Sequence, residues 1–116
     1  MNKAALYRLW HTIRLWMIPG SGERANYIKK HGLFHHVGDG CTVMERKVPL
    51  YGNLISIGNN VHLAAKVLLV PHDAIHLCLS SVGGGVHEGA YKEKIGWIGI
   101  GDNVFIGSNT TILYDV

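Results

Sequence analysis

A mainly β fold, a parallel β-helix behind N-terminal α-helices, is the class this sequence predicts, and three observations predict it. Glycine is frequent, 15 in 116 residues, which suits many tight corners better than long helices. Branched residues recur on a period of six: Val37 and Val43, then Ile57, Leu63 and Leu69, then Ile100, Ile106 and Ile112. The fourth residue of such hexads is often Gly40, Asn60, Asn103 or Asn109, types that tolerate a left-handed backbone corner; Lys66 and His72 are among the exceptions. An inward branched residue followed by a corner describes short flat strands joined by turns, three to a coil. An antiparallel sheet would alternate by two instead.

Residues 1–36 read as a helical segment. Leu6, Leu9, Trp10, Ile13, Trp16 and Met17 follow helical spacing, and Pro19-Gly20 ends the run. This amphipathic helix is expected to bury its apolar face against protein, with contact to a membrane surface as the other option. A second helix is expected from Ser21 as N-cap to Gly32 just past its end. Residues 37–116 carry the hexads, with a loop insertion at about 77–95, "LCLSSVGGGVHEGAYKEKI". No Lys-Ser or Lys-Thr follows its three glycines, so they do not read as a phosphate loop.

With 47% apolar and 16% charged residues, the chain is not of a disordered composition. Its net charge of +3 is uneven: residues 1–31 set six cations against Glu23 alone. A basic segment suits a solvated face, an anionic membrane or nucleic acid, but no nucleic-acid module is recognisable and none is expected as partner. Cys41 and Cys78 make no disulfide framework and read as reduced core residues of a cytoplasmic protein. Arg8, His11 and Arg14 interrupt the apolar stretch 4–18, which argues against a signal peptide or a spanning helix.

The stretches "LISIGNNVHLAAKVLLVPHD" (54–73) and "KIGWIGIGDNVFIGSNTTIL" (94–113), in that order around an insertion, make the chain resemble the hexapeptide-repeat acyltransferases. The resemblance spans about residues 25–116. It is strongest to O-acetyltransferases of surface or capsular polysaccharide synthesis, with maltose, galactoside and xenobiotic acetyltransferases also similar. It implies the left-handed form of the β-helix, acetyl-coenzyme A as co-substrate, no metal, and assembly as a homo-oligomer, a trimer in that family.

What the resemblance implies for chemistry centres on His72 in "LLVPHDAIH". A histidine where a coil gives way to an extended loop is that family's general base. It would take the proton of an acceptor hydroxyl, let the oxygen attack the thioester, and return the proton to the leaving thiolate. An alcohol is a weak nucleophile at neutral pH and imidazole is the side chain best suited to activate it, while a backbone N–H steadies the oxyanion. Asp73, His87, Glu88, Tyr91 and Lys92 are candidates for holding a saccharide or similar small acceptor. Trp97, between Ile95 and Ile98, is expected to pack rather than to bind.

Two other readings stand beside this one. The final hexads, from Ile100 to Val116, stop within a coil, so the β-helix reads as truncated at its C-terminal end. The coils that bind coenzyme A in relatives would be missing, and no residues can be assigned to it. On that view the chain is a catalytically impaired oligomeric module. Alternatively His62, His72 and His76 invite a zinc-dependent lyase of carbonic-anhydrase type, although their spacing fits that pattern poorly. His31, His35 and His36 have no cysteine or carboxylate at ligand spacing.

Overall fold

The computed structural model describes residues 2–81 and 92–116, the side chains of residues 80 and 81 excepted. Helix α1 spans Lys3–Trp16 and opens on Asn2, whose Oδ1 accepts from the Ala5 N–H at 2.8 Å. Helix α2 spans Ser21–Lys30. Ser21 is its first helical residue rather than its cap; Gly20 holds the cap position without a side-chain bond. Its far end is a Schellman turn: Gly32 has φ +62°, Leu33 N–H reaches the Ile28 carbonyl at 3.0 Å, and Gly32 N–H that of Lys29 at 3.3 Å.

The strands are β1 (His36–Val37), β2 (Thr42–Val43), β3 (Ile55–Ile57), β4 (Val61–Leu63), β5 (Leu68–Val70), β6 (His72–Asp73), β7 (Lys94–Ile95), β8 (Ile98–Ile100), β9 (Val104–Ile106) and β10 (Thr111–Leu113). They stand in three parallel ladders, β1-β3-β8, β2-β4-β9 and β5-β10, and one antiparallel pair, β6-β7. A third helix, α3, spans Ile75–Ser81.

The expectation of a mainly β, left-handed parallel β-helix is therefore corrected. The fold is a small α/β arrangement, 31% helix and 25% strand, whose parallel ladders neither close nor coil into a solenoid. The physical reason lies in what separates the strands. Among the described residues no strand exceeds three residues. The third ladder has two members, because the chain between β2 and β3 turns through Tyr51, at φ 59°, into a 3-10 turn at Gly52–Leu54. Beyond β6 the chain enters α3, where a loop had been expected.

What the period of six does mark is burial. Val37, Val43, Ile57, Leu63, Leu69 and Ile106 are buried, and Ile100 and Ile112 pack partly against them. The corners are also where the sequence puts them: Gly40, Asn60, Asn103 and Asn109 all have positive φ, and so does Lys66, at 61°. At one corner the chain stacks three deep. Asp39 N–H donates to Asn59 Oδ1 at 2.8 Å, and Asn59 N–H donates to Asp102 Oδ1 at 2.7 Å. These bonds fix the registers His36–Ser56 and Ser56–Gly99 from outside the ladder. Cys41 is buried there, with its thiol 3.2 Å from the Gly58 carbonyl. Cys78, expected in the core, is exposed on α3.

The helices meet the ladders through Arg24, which is almost fully buried. Its Nε donates to the Val43 carbonyl at 2.8 Å and one terminal nitrogen to the Ile18 carbonyl at 2.7 Å. Burial, then nearby Arg46, lowers its pKa. Arg24→Lys is expected to cost about 2 kcal/mol, because one ammonium cannot span both carbonyls and leaves a buried acceptor unpaired. Urea unfolding should show the loss as a lower midpoint at unchanged slope.

Candidate functional site

The antiparallel pair β6-β7 sets Ile95 opposite His72 and Lys94 opposite Asp73, and Gly96 N–H closes the pair onto the Pro71 carbonyl at 2.9 Å. Pro71, fully buried, fixes the backbone into β6. Adjacent strand residues diverge, and these two do. His72 stands edge-on to Tyr51, ring centres 5.6 Å apart, and lines an apolar cavity of about 350 Å³. The cavity lies between α1, α2 and strands β2, β4 and β5; Leu15, Ile28, Phe34, Val43, Leu63 and Leu69 line it. Charged side chains also reach its wall: Arg8, Glu45 and Lys47.

Two polar atoms on that wall are buried without a hydrogen-bond partner among the described residues, His72 Nδ1 and Arg8 Nε. Buried polar atoms are nearly always paired, so an unpaired ring nitrogen on a cavity is available for work. His76, on α3, also has a buried Nδ1 with no hydrogen-bond partner among the described residues.

Asp73 is engaged elsewhere. Its Oδ1 accepts from the Ile75 N–H at 3.1 Å, and its Oδ2 accepts from the Tyr114 hydroxyl. Tyr114 in turn lies under the Lys94 ammonium, 5.6 Å from its ring centre, and Lys94 pairs with Asp115 at 3.3 Å. So Asp73 ties β6 to the residues just after β10. The Tyr114 hydrogen bond holds the Asp73 carboxyl below its ordinary pKa and raises that of the phenol.

The pH consequence has two ends. A depressed carboxyl adds stability that is complete above its unfolded pKa and is lost as pH falls through the folded one; a raised phenol adds stability that is complete below about 10 and is lost as pH climbs through its folded pKa. The clasp is expected to hold between those limits. In Tyr114→Phe, NMR titration should show the Asp73 midpoint rising toward the ordinary carboxylate range. An unmoved midpoint would mean the phenol is not what depresses it.

His87, Glu88 and Tyr91 lie outside the described residues. Lys92 is exposed. Trp97 is half exposed and stands edge-on to His35, ring centres 5.1 Å apart. His62 does not join His72: its Nδ1 pairs with Thr42 Oγ1 at 2.7 Å and its Nε2 with Asn60 Oδ1 at 2.8 Å. Among the described residues no three His, Cys, Asp or Glu side chains stand close enough to hold a metal ion. His31 packs on Tyr27 and His11.

Sequence reasoning missed Tyr51, Tyr114 and Lys94. Lys94 had a signal, since it opens the run that returns beside Pro71-His72. Tyr114 and Tyr51 had none, because nothing in the sequence joins positions so far apart. Comparison with protein-family models, curated proteins and solved structures finds no match to this chain.

Proposed function

We propose that this protein is an acyltransferase, moving an acetyl group from acetyl-coenzyme A to a hydroxyl of a saccharide or similar small acceptor. The observation that carries the reading is the unpaired, buried Nδ1 of His72 on the wall of an apolar cavity. His72 takes the hydroxyl proton, the oxygen attacks the thioester carbonyl, the carbon–sulfur bond breaks, and the proton passes to the departing thiolate. No covalent acyl-enzyme is required. Asp73, with both oxygens engaged, acts by holding β6 in place rather than by touching the acceptor.

The cavity suits the acyl end of the donor. Sites for small ligands run from about 300 Å³ and are mostly apolar with a few placed polar groups, as this one is. Its volume exceeds the need of an acetyl group, so thioesters with longer chains belong among the substrates tested. A thioester of coenzyme A is an intracellular compound, and the reading carries a cytoplasmic location with it. No helix among the described residues is long and apolar enough to cross a membrane.

The experiment is a transfer assay with acetyl-, butyryl- and octanoyl-coenzyme A across a panel of sugars, following free thiol release. Acceptor-dependent thiol release supports the reading. Release from none of these donors with any acceptor, by folded protein, would overturn it.

A further inference from the structure

Helix α1 docks on the ladders with its more polar side. His11 and Leu15 are buried, Arg8 and Thr12 are half-buried, and Thr12 Oγ1 accepts from the Val48 N–H at 3.2 Å. His11 Nδ1 pairs with the Tyr27 hydroxyl at 2.7 Å. These four positions follow i, i+3, i+4, i+7 and define the inward face. Within this chain the apolar face expected to bury against protein is therefore left uncovered.

The opposite face carries Leu6, Leu9, Trp10, Ile13, Trp16 and Met17, each about half exposed or more, with Trp16 at 66% and Met17 at 71%. Single exposed apolar residues are ordinary; six contiguous ones on one helix, two of them tryptophan, mark a surface that meets something.

Charge decides what. No carboxylate occurs between Lys3 and Trp16, while Lys3, Arg8 and Arg14 do. Arg14 lies 5.7 Å from the Trp10 ring centre, and Arg46 lies 5.2 Å from that of Trp16. Each outward tryptophan thus has a guanidinium beside it. An apolar stripe with tryptophans flanked by cations and free of acids is complementary to a bilayer that exposes phosphate. At 14 residues, α1 lies in such a surface and does not cross it.

We propose that α1 seats the protein on an anionic lipid surface, burying Leu6, Leu9, Trp10, Ile13, Trp16 and Met17 at the acyl boundary while Lys3, Arg14 and Arg46 meet headgroup phosphates. This stands independently of the acyl-transfer reading. The test is co-sedimentation with vesicles of phosphatidylcholine containing about one third phosphatidylglycerol, against phosphatidylcholine alone. Partitioning should be at least about tenfold stronger on the anionic vesicles and weaken as salt rises, with tryptophan emission shifting to the blue. The double variant Leu9→Glu, Ile13→Glu changes only outward positions and should lose roughly tenfold or more of that partitioning at unchanged circular dichroism. Equal partitioning onto both vesicle types, no partitioning, or undiminished partitioning of the double variant would overturn the proposal. So would an oligomer in light scattering that dissociates in the double variant while vesicles capture nothing, since that assigns the face to a second copy.

Discussion

His72→Ala is expected to lower the rate of acyl transfer by roughly 10²–10⁴-fold while leaving the protein folded. The rate loss follows from removing the only imidazole on the cavity wall among the described residues; Arg8 and Lys47 there are cations and cannot take a proton from a hydroxyl, and Glu45 is a weaker base whose Oε1 already accepts from the Arg46 N–H. The small cost in stability follows from the ring's position. Its Nδ1 makes no hydrogen bond among the described residues, and β6 is held by Pro71, by the pairing with β7 and by the Asp73–Tyr114 bond, none of which uses the imidazole. His72→Gln separates a base from a mere polar contact: it keeps hydrogen-bonding capacity and should be nearly as inactive as alanine. Thiol-release rates at saturating donor, beside thermal unfolding curves, check both parts. Full activity in His72→Ala would remove His72 from the mechanism.

Gly38→Ala is expected to destabilise the protein by about 3 kcal/mol or more, lowering the unfolding temperature by on the order of 10 °C. A Cβ at Gly38 would overlap the backbone carbonyl of Gly58. Gly58 cannot retreat, because the space where its own Cβ would lie is filled by the Asp102 carboxylate and the Gly101 carbonyl carbon. The stack could relax only by parting β1 from β3 or by breaking the bonds through Asn59 and Asp102. Gly22→Ala is the control. It lies in α2 with nothing within 4 Å of the added atom, and should stabilise by about 0.5–1 kcal/mol. Similar losses in both variants would mean that crowding at the corner is not the cause.

Much of the local structure could be read from the chain because local chemistry determines it. Asn60, Asn103 and Asn109 announce left-handed corners through their short amide side chains, and Gly32 announces the end of α2. Lys66 shows the limit: its corner is imposed by the ladders around it, against its own preference. The overall class was not legible. A six-residue rhythm reports which side chains turn inward, but the repeat does not reveal whether intervening segments such as 49–54 and 75–81 continue the strands or leave them. The same holds at the candidate site. His72 was visible because Pro71 and Asp73 frame it, whereas Tyr114 reaches Asp73 across 41 positions. Residues at that separation leave no mark on each other in a single sequence. Helix α1 misled for a related reason: an amphipathic pattern says that two faces differ, and says nothing of which one the rest of the chain will take.

The two spans of ladder pairing bear on how the molecule is made. At the stacked corner, contacts run 20 residues back from the middle layer and 43 residues forward. Strands β3 and β4 sit in the middle of their ladders, so each acquires its first neighbour early in synthesis and waits for the second until β8 and β9 leave the ribosome. Contacts this distant in sequence make folding slow, toward the millisecond-to-second range. During that wait one edge of Ile55–Ile57 and of Val61–Leu63 stands open, apolar and able to pair with any extended chain. The nascent protein's hazard of misassembly is concentrated on those six residues, and so is the demand it places on chaperones.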